Sequence, residues 1–556
     1  MLVYGDHHER LDPASRLAEI ARVLAKPALS HEALTSAFVD LAGVTQGIAD
    51  ADFRQCGHDR RRPAESVLLD QLTALARALL HSWERGCAGG QAPPLGLLEE
   101  LPQEVEIRLP EGFAFYALRP EAYALAARQS KLSAPPRIIG LRSIGTGLAC
   151  MAAAALDAPP PFTLRPVGEP FARTLSLAAE LADDLLATDV HFVIVDEGPG
   201  LSGSSFGAVA DWLEDRGVPR SKIAFLPGHS NDLGPQASER HRERWRVAQR
   251  PTVALDEPRE DWLDPLIGPL TQPLRDISGG AWRSLSLPSE AAWPPVDPMW
   301  ERRKFLAESA GGAWLVKFAG LGRIGETKLQ LARRLHDAGF GPEPAGLTGG
   351  WLVTRWHHET VPARPLMTEL SAYLKFRATL PAPGPGAPPE LLLTMIRRNV
   401  PALSQWQPDL SRLQPRPVCT DNRMAANEWL RLPSGHLLKA DALDHHAAHD
   451  LIGCQDIAWD VAGAIVEFDL SAAEAGDLIS TIEADPALIA FNKFAYTAFR
   501  IGAHRMSAST LGYWPAEQRR HLQAAERLEA RLAAVDPVQH LSHVDQPLRF
   551  GVEPLA

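Results

Sequence analysis

The sequence predicts a mixed α/β protein of several domains, because its hydrophobic pattern changes twice along the chain. Up to about residue 104, apolar residues recur at three- and four-residue spacing, which indicates amphipathic helices. From Val105, short apolar runs alternate with helical patterns, which indicates a parallel sheet with crossover helices. From Trp300, the pattern becomes a β-hairpin, a helix and a further strand, which favours a second, α+β unit.

The length of 556 residues is expected to give three or four domains. We divide it into a helical N-terminal extension (1–104), a parallel-sheet domain (105–275), a linker rich in Pro and Trp (276–300) and a second domain (301–540). The extension is interpreted as a cap on the sheet or as an oligomerisation element. In the second case the protein is a homo-oligomer.

Composition narrows the classes of partner. The net charge of −12 argues against a nucleic-acid-binding role, which needs a basic face. No apolar run reaches the ~18–20 residues of a membrane span, and the N-terminus lacks the apolar segment of a signal peptide. The five cysteines are scattered and form no C-x-x-C pair, which is typical of reduced thiols. We therefore expect a cytoplasmic protein that acts on small molecules, without nucleic-acid or membrane partners.

The most informative stretch is FVIVDEGPGLSGSS, residues 192–205. Phe192 to Val195 predict a buried strand, and the strand ends on the acids Asp196 and Glu197. A helical pattern follows, so backbone N–H groups of the loop would face an anion at the helix start. The acids suit sugar hydroxyls or a Mg2+ ion. The candidate phosphate-binding residues of the loop are Gly200, Ser202, Gly203, Ser204 and Ser205.

This stretch resembles the phosphoribosyl-diphosphate (PRPP) loop of the type I phosphoribosyltransferases. The resemblance implies that Asp196 and Glu197 are catalytic and hold the ribose, while Ser202 to Ser205 hold the 5′-phosphate. Glu replaces the commoner second Asp, and the loop is one residue longer than usual. The alternative is a glycine-rich strand-to-helix turn in another nucleotide-binding α/β fold.

Two further segments have counterparts in that family. The turn Arg142-Ser143-Ile144-Gly145-Thr146 follows the strand pattern RIIGL and would bind pyrophosphate through its backbone, Arg142 and Thr146. Arg165 and Arg173 bracket a segment that would cover the pyrophosphate, since guanidinium groups fit phosphate oxygens. A surface loop with two exposed arginines is the alternative.

The second domain resembles the aminoglycoside phosphotransferases, which have a two-lobed, protein-kinase-like fold. The pattern AWLVKF places Lys317 on a strand, and CTDNRMAANEWL and LLKADALD supply Asn427 and Asp441. The resemblance implies that Lys317 binds ATP phosphates, that Glu326 is its partner, and that Asn427 and Asp441 hold Mg2+. Asp456 and Asp460 match the two acids of the family's supporting helix.

The catalytic carboxylate of that family has no clear counterpart here. Counting back five positions from Asn427 leads to Asn422, which cannot accept a proton as a carboxylate does, and Asp421 is one position away. Either Asp421 serves, or the domain binds nucleotide without rapid phosphoryl transfer. The neighbouring histidines 445, 446 and 449 have spacing that suits a metal, but we interpret them as the loop after Asp441.

These observations lead to two functional hypotheses. The first is a bifunctional enzyme of nucleoside-like metabolism that uses PRPP or pyrophosphate in one domain and ATP with Mg2+ in the other. The second is a regulatory protein that binds PRPP and nucleotide and has a degenerate kinase domain. A carboxylate directed at the ATP site, from Asp421, favours the enzyme, whereas Asn422 in that place favours the regulator.

Overall fold

The computed structural model describes residues 1–5, 7–96, 98, 100–132, 135–200, 202–358 and 360–533. Leu201 of the glycine-rich loop and residues 534–540 of the expected second domain lie outside the described residues. None of the helices in these ranges is long and apolar enough to cross a membrane.

The N-terminal part consists mainly of three helices that pack on the parallel-sheet part. Helix α2 begins after the N-cap Ser30, whose hydroxyl accepts a hydrogen bond from the Ala33 amide, and ends at Gly57 with a positive φ of 77°. A short strand precedes the helices and pairs with the first strand after them, which the helical prediction did not include. The elements are β1 (His8–Leu11), α1 (Pro13–Leu24), α2 (His31–Cys56) and α3 (Pro63–Glu84).

The second part contains the predicted parallel sheet. Its elements are β2 (Val105–Arg108), α4 (Glu111–Phe115), α5 (Pro120–Gln129), β3 (Arg137–Leu141), α6 (Gly145–Ala155), β4 (Phe162–Leu164), β5 (Val167–Glu169), β6 (Ala172–Thr174), α7 (Ala179–Leu186), β7 (Phe192–Val195), α8 (Ser204–Glu214), β8 (Ile223–Leu226), α9 (Glu239–Val247) and α10 (Glu260–Ile267). Four parallel strands lie in the order β4-β3-β7-β8. The chain leaves β3 toward β4 and later returns to β7 on its other side. The carboxyl ends of β3 and β7 therefore form the crevice where open α/β sheets bind ligands.

The aromatic and apolar residues of the segment FAFYALR (113–119) predict a strand, but this prediction is wrong. Its first residues belong to the short helix α4 and the rest form a loop. The Phe113 and Phe115 side chains are nevertheless buried. These side chains are buried by contacts with other elements of the fold. The hydrophobic periodicity of a seven-residue segment cannot distinguish such burial from burial in a sheet.

The C-terminal part has a sheet lobe and a helical lobe. The elements are β9 (Arg275–Asp276), α11 (Arg283–Ser286), β10 (Lys304–Ser309), β11 (Gly312–Phe318), α12 (Arg323–Asp337), β12 (Pro344–Thr348), β13 (Trp351–Arg355), β14 (Val361–Pro362), α13 (Met367–Ala378), α14 (Pro389–Asn399), β15 (Trp429–Arg431), β16 (Leu437–Lys439), α15 (Ala458–Phe468), α16 (Ala472–Ile482), α17 (Pro486–Thr510) and α18 (Pro515–Ala533). The first lobe is an antiparallel sheet in the order β12-β13-β11-β10-β9 with α12. The second contains the small sheet β14-β15-β16 and helices α13 to α18.

The parallel sheet and the antiparallel sheet share one hydrophobic core. Phe113 and Val193 belong to the same buried cluster as Phe318 and Trp351, which lie in the C-terminal part. Residues 276–300 also pack closely, since the buried Arg283 donates to Glu517 of α18 at 2.9 Å. The two parts are therefore held by continuous packing, which fixes the position of one candidate site relative to the other.

Candidate functional site

The acidic pair lies in the crevice at the end of the parallel sheet. Asp196 and Glu197 directly follow β7. The Asp196 carboxylate accepts the amide of Glu197 at 2.9 Å, and the Glu197 carboxylate accepts the amide of Gly112 at 3.0 Å. The Tyr123 hydroxyl donates to the Asp196 carbonyl at 2.9 Å. These contacts hold both acids beside the crevice between β3 and β7, where the strand order of the sheet reverses.

Both carboxyl groups have raised pKa values. Burial raises the pKa of Asp196 to about 7. Burial, followed by the nearby charges of Glu111 and Asp196, raises the pKa of Glu197 to about 8. A cation or a set of sugar hydroxyls beside the pair would stabilise its ionised form. Raised carboxyl pKa values in a crevice are typical of functional sites.

The serine loop is covered by the β5–β6 hairpin. The hydroxyls of Ser202 and Ser204 both donate to the carbonyl of Pro170 at the hairpin's tip, at 3.4 and 2.6 Å. Gly203 starts α8 with a positive φ of 64°, and Ser205 and Gly200 complete the loop on either side. Both hydroxyls are therefore engaged by the hairpin in this conformation.

Arg142 and Arg165 do not face the crevice as free phosphate ligands. Arg142 is buried against Asp59 and lies 3.0 Å from Asp50. Arg165 pairs with the same Asp50 and donates its backbone N–H to Asp59 at 2.8 Å. Both acids come from the N-terminal part, so in this structure these arginines join it to the sheet, and their role as pyrophosphate ligands stays a prediction.

The remaining predicted phosphate residues have mixed surroundings. Arg173 lies on β6 of the hairpin and donates to the Pro166 carbonyl at 3.2 Å. Gly145 packs so closely on β7 that a Cβ atom would lie 2.7 Å from the Val195 carbonyl oxygen. Thr146 is fully buried, and its hydroxyl has no hydrogen-bond partner among the described residues, while Ser143 is half-buried.

A second candidate site lies in a cleft of about 330 Å³ between the sheet lobe and the helical lobe. Strand β11 contributes Lys317, and loops of the helical lobe contribute Asn427 and Asp441. The Lys317 ammonium lies 2.8 Å from Asp441 and 2.6 Å from Asp444. Burial disfavours the charged ammonium, but the two aspartates outweigh it and raise the Lys317 pKa. This ion pair connects the two lobes.

Glu326 is not the partner of Lys317. It lies on the exposed side of α12, whereas Lys328 of the same helix is buried and contacts Asp444 at 2.6 Å. The prediction of a Lys317–Glu326 pair is therefore wrong. Lys317 pairs instead with Asp441 and with Asp444, three positions later. The pattern KADALD includes Asp444, but nothing in it identifies this residue as a partner of Lys317.

Asp421 is buried away from the cleft. Its carboxylate contacts the Tyr373 hydroxyl and lies 3.3 Å from the Lys439 ammonium and 3.5 Å from the Arg377 guanidinium. Burial opposes ionisation, but the Lys439 charge, the hydrogen bond from His445 and the Arg377 charge outweigh it and hold the Asp421 pKa well below its ordinary value. A carboxylate surrounded by cations is a poor proton acceptor, so this position does not favour the alternative in which Asp421 is the catalytic base.

Asn422 and Arg423 line the cleft, whereas Asp421 does not. Asn422 has a positive φ of 69°, and its side-chain amide donates to the Gly453 carbonyl at 2.5 Å. The Asp460 carboxylate fixes this turn by accepting the amides of Asp421 at 2.7 Å and Asn422 at 2.8 Å. This is the supporting position that the resemblance implies for Asp460.

The donor set of the cleft fits a divalent cation. Glu428, Asp441 and His445 each offer one ligand atom, and these atoms lie within 4.8 Å of one another. Asn427, one position before Glu428, lines the same cleft. Carboxylate and amide oxygens are the ligands that Mg2+ prefers. The sequence analysis did not single out Glu428, because nothing in the pattern NEWL distinguishes a buried acid at the cleft from an exposed one.

The short helix α4 lies between the two candidate sites. Its Gly112 amide contacts Glu197, and its Glu111 lies 3.3 Å from His449, which follows the loop of Asp441. The Phe115 ring lies 4.2 Å from the guanidinium carbon of Arg302, which lines the cleft. Three residues of this short helix therefore contact the surroundings of the two sites.

No protein-family model matches the sequence, and no curated protein matches it. Among solved structures, the chain is similar to the choline kinase LicA from Streptococcus pneumoniae, with 16% identity over 42% of this chain and 90% of that one, and a TM-score of 0.31. It is similar to a choline/ethanolamine kinase family protein from Mesorhizobium loti, with 15% identity over 48% and 98% of the two chains, and a TM-score of 0.31. It is also similar to a thermostable mutant of aminoglycoside phosphotransferase APH(4)-Ia, with 12% identity over 50% and 100%, and a TM-score of 0.29.

The raised pKa values of the acidic pair predict a pH-dependent cost in stability. In the unfolded chain these groups lose their protons near pH 4, but in the folded protein they keep them until about pH 7 to 8. The free energy of unfolding therefore falls as pH rises through this window. We expect Asp196→Asn/Glu197→Gln to gain stability relative to the wild type between about pH 5 and pH 8, measured as thermal midpoints.

Asp183→Asn, at an exposed position on α7, is the matched control and is expected to show no such trend. A difference between the double variant and the wild type that stays constant over the whole pH range would contradict the raised pKa values.

Proposed function

We propose that the C-terminal part binds ATP with a divalent cation and transfers its terminal phosphoryl group to a small molecule. The observation that carries this proposal is the contact of Lys317 with Asp441, 124 positions apart, in a cleft that Asn427 also lines. A lysine beside a metal-binding carboxylate and amide is the arrangement that aligns and neutralises a nucleotide triphosphate.

The cleft has an apolar part that suits a purine. Leu315 lies on β11 of the sheet lobe, and Leu430 and Leu438 lie on β15 and β16 of the helical lobe. An adenine ring packed between these side chains would contact both lobes. Ligand pockets are commonly built in this way, with an apolar wall and a few placed polar groups.

One end of the cleft carries three cations, of which two lie on β10 and β11 and the third lies just before β10. Lys304 lies directly opposite Lys317 in the β10–β11 hairpin, and Arg302 precedes it by two residues. Arg302 is only 8% exposed, and its Nε has no hydrogen-bond partner among the described residues. Triphosphate oxygens would satisfy this buried donor and draw Lys317 away from Asp441.

Phosphoryl transfer in this cleft would depend on positioning and charge rather than on a strong base. The transition state of phosphoryl transfer is loose, so alignment and neutralisation supply most of the catalysis. A bound cation would supply charge neutralisation between the phosphates. With Asn422 in the cleft and Asp421 buried, the site favours slow turnover or an acceptor oxygen that is already ionised.

The position of Asn422 in the cleft also supports a second candidate, a regulatory nucleotide-binding protein with a degenerate kinase domain. An amide at the cleft retains nucleotide binding and removes the proton acceptor. The two candidates share the ATP site and differ in turnover alone.

Lys317→Ala is expected to weaken ATP binding by about 10–100-fold, because it removes a charge-assisted contact to phosphate worth about 1.5–3 kcal/mol. Isothermal titration with ATP and Mg2+ measures the affinity, and phosphate release or transfer to a panel of amines and alcohols measures turnover. Lys375→Ala, an exposed lysine on α13, is the control. Binding that is unchanged in Lys317→Ala would contradict the site, and binding without turnover would select the regulatory candidate.

For the parallel-sheet part we propose a PRPP site, used for phosphoribosyl or pyrophosphate transfer or for sensing. It is supported by the strand order, by Asp196 and Glu197 at the order reversal, and by the glycine-started helix α8 beside them. Ribose hydroxyls would meet the acids, and the 5′-phosphate would meet the start of α8 once Pro170 has moved. Arg173 on the hairpin would then move with it.

PRPP with Mg2+ is expected to bind the wild type with micromolar affinity. The variant Asp196→Asn/Glu197→Gln is expected to bind it at least tenfold more weakly. The physical reason is the loss of two acceptors for ribose hydroxyls or Mg2+. Isothermal titration is the measurement, with Asp183→Asn as the control. A folded wild type that shows no binding at millimolar PRPP would rule out this site.

A further inference from the structure

We infer that His445 is a metal ligand and that, with Glu428 and Asp441, it forms a mixed nitrogen–oxygen site that prefers a first-row transition ion to Mg2+. This inference rests on the proposed nucleotide cleft and names the class of cation used there. The resemblance to aminoglycoside phosphotransferases implies only Asn427 and Asp441, which are oxygen ligands.

The first support is the geometry of the three side chains. Their ligand atoms lie within 4.8 Å of one another, and all three residues line the cleft. The Nε2 of His445 lies 3.8 Å from Oδ2 of Asp441, which is too long for a hydrogen bond. Two metal–ligand bonds of about 2.1 Å each span up to about 4.2 Å, so this separation fits two ligands of one ion.

The second support is the orientation of the imidazole. Its Nδ1 lies 3.2 Å from Oδ1 of the buried Asp421. A carboxylate oxygen in this position accepts the hydrogen bond of an Nδ1–H group, and Nε2 is the ring nitrogen that faces Asp441 in the cleft. A carboxylate behind a histidine is the usual partner of a metal-bound imidazole, since it fixes the tautomer and the ring.

This arrangement also gives Asp421 a role. The carboxylate is held by Tyr373, Arg377 and Lys439, so it is a rigid support rather than a proton acceptor. Asp421 is therefore a positioning residue that acts through His445.

A third observation is an unsatisfied acceptor in the same wall. Asn422 is 4% exposed and lines the cleft, and its side-chain oxygen has no hydrogen-bond partner among the described residues. A bound cation or one of its waters would satisfy it. The neighbouring Arg423 and Lys439 pair with Glu428 at 3.1 and 2.7 Å and balance its charge.

The other nearby histidines are not part of this site. His446 is buried beside Cys419, with Nε2 3.5 Å from its sulfur. His449 points toward α4, where it contacts Glu111. The spacing of His445 and His449 in the sequence is therefore not a metal motif, and the ligands that accompany His445 come from other loops. Imidazole suits first-row transition ions, whereas Mn2+ and Mg2+ both prefer oxygen ligands. Mn2+ is therefore a demanding probe, and its electron spin reports a directly coordinated nitrogen.

The test is pulsed electron paramagnetic resonance of Mn2+ bound to the full chain without nucleotide. We expect a coupling from a directly coordinated nitrogen in the wild type and in His436→Gln, an exposed control histidine. His445→Gln is expected to lose this coupling and to bind Mn2+ at least tenfold more weakly. Asp421→Asn is expected to raise the Mn2+ dissociation constant about 10–100-fold by releasing the ring.

A wild type that binds no Mn2+ at millimolar concentration, or that binds it without nitrogen coupling, overturns the inference. Coupling that persists in His445→Gln overturns it as well. Since the wild-type spectrum decides the point, the test stands even if a variant fails to fold. ATP binding with no nitrogen coupling would leave the proposed function intact, whereas nitrogen coupling without ATP binding would remove the proposed function alone.

Discussion

The cleft depends on one buried ion pair that joins two lobes of different architecture. Lys317 comes from an antiparallel sheet, and Asp441 and Asp444 come from a loop of the helical lobe. The cost of burying these charges is met only while the partners stay together, so the pair fixes the distance between the lobes. Anionic phosphates would give Lys317 a new partner of opposite charge, and a cation would do the same for Asp441. Ligand binding could therefore replace the ion pair without leaving a charge unpaired.

Continuous packing places the second candidate site in a fixed relation to this cleft. Phe113 and Phe318 belong to one core, and α4 contacts Glu197 on one side and the Arg302 guanidinium on the other. A ligand that ionises Glu197 would act on the Gly112 amide, and through α4 on the wall of the cleft. Two candidate sites in one chain are thus joined by packed structure rather than by a flexible linker.

Patterns local to the sequence predicted much of this structure, and contacts between distant segments account for what they missed. The strand that carries Lys317 and the order of strand, acids and helix around Asp196 follow from hydrophobic periodicity, and the structure confirms them. The resemblance to the type I phosphoribosyltransferases implied that Arg142 is a phosphate ligand, but in the structure it pairs with Asp50 and Asp59, which lie more than 80 positions away. Nothing local distinguishes a paired arginine from a free one.

The most direct test of the account is a crystal structure with a non-hydrolysable ATP analogue and Mn2+. The account predicts that the Lys317 ammonium leaves Asp441 for a phosphate oxygen and that an anomalous manganese peak lies beside Asp441. A nucleotide bound elsewhere on the chain, or a Lys317–Asp441 pair unchanged beneath a bound nucleotide, would contradict it.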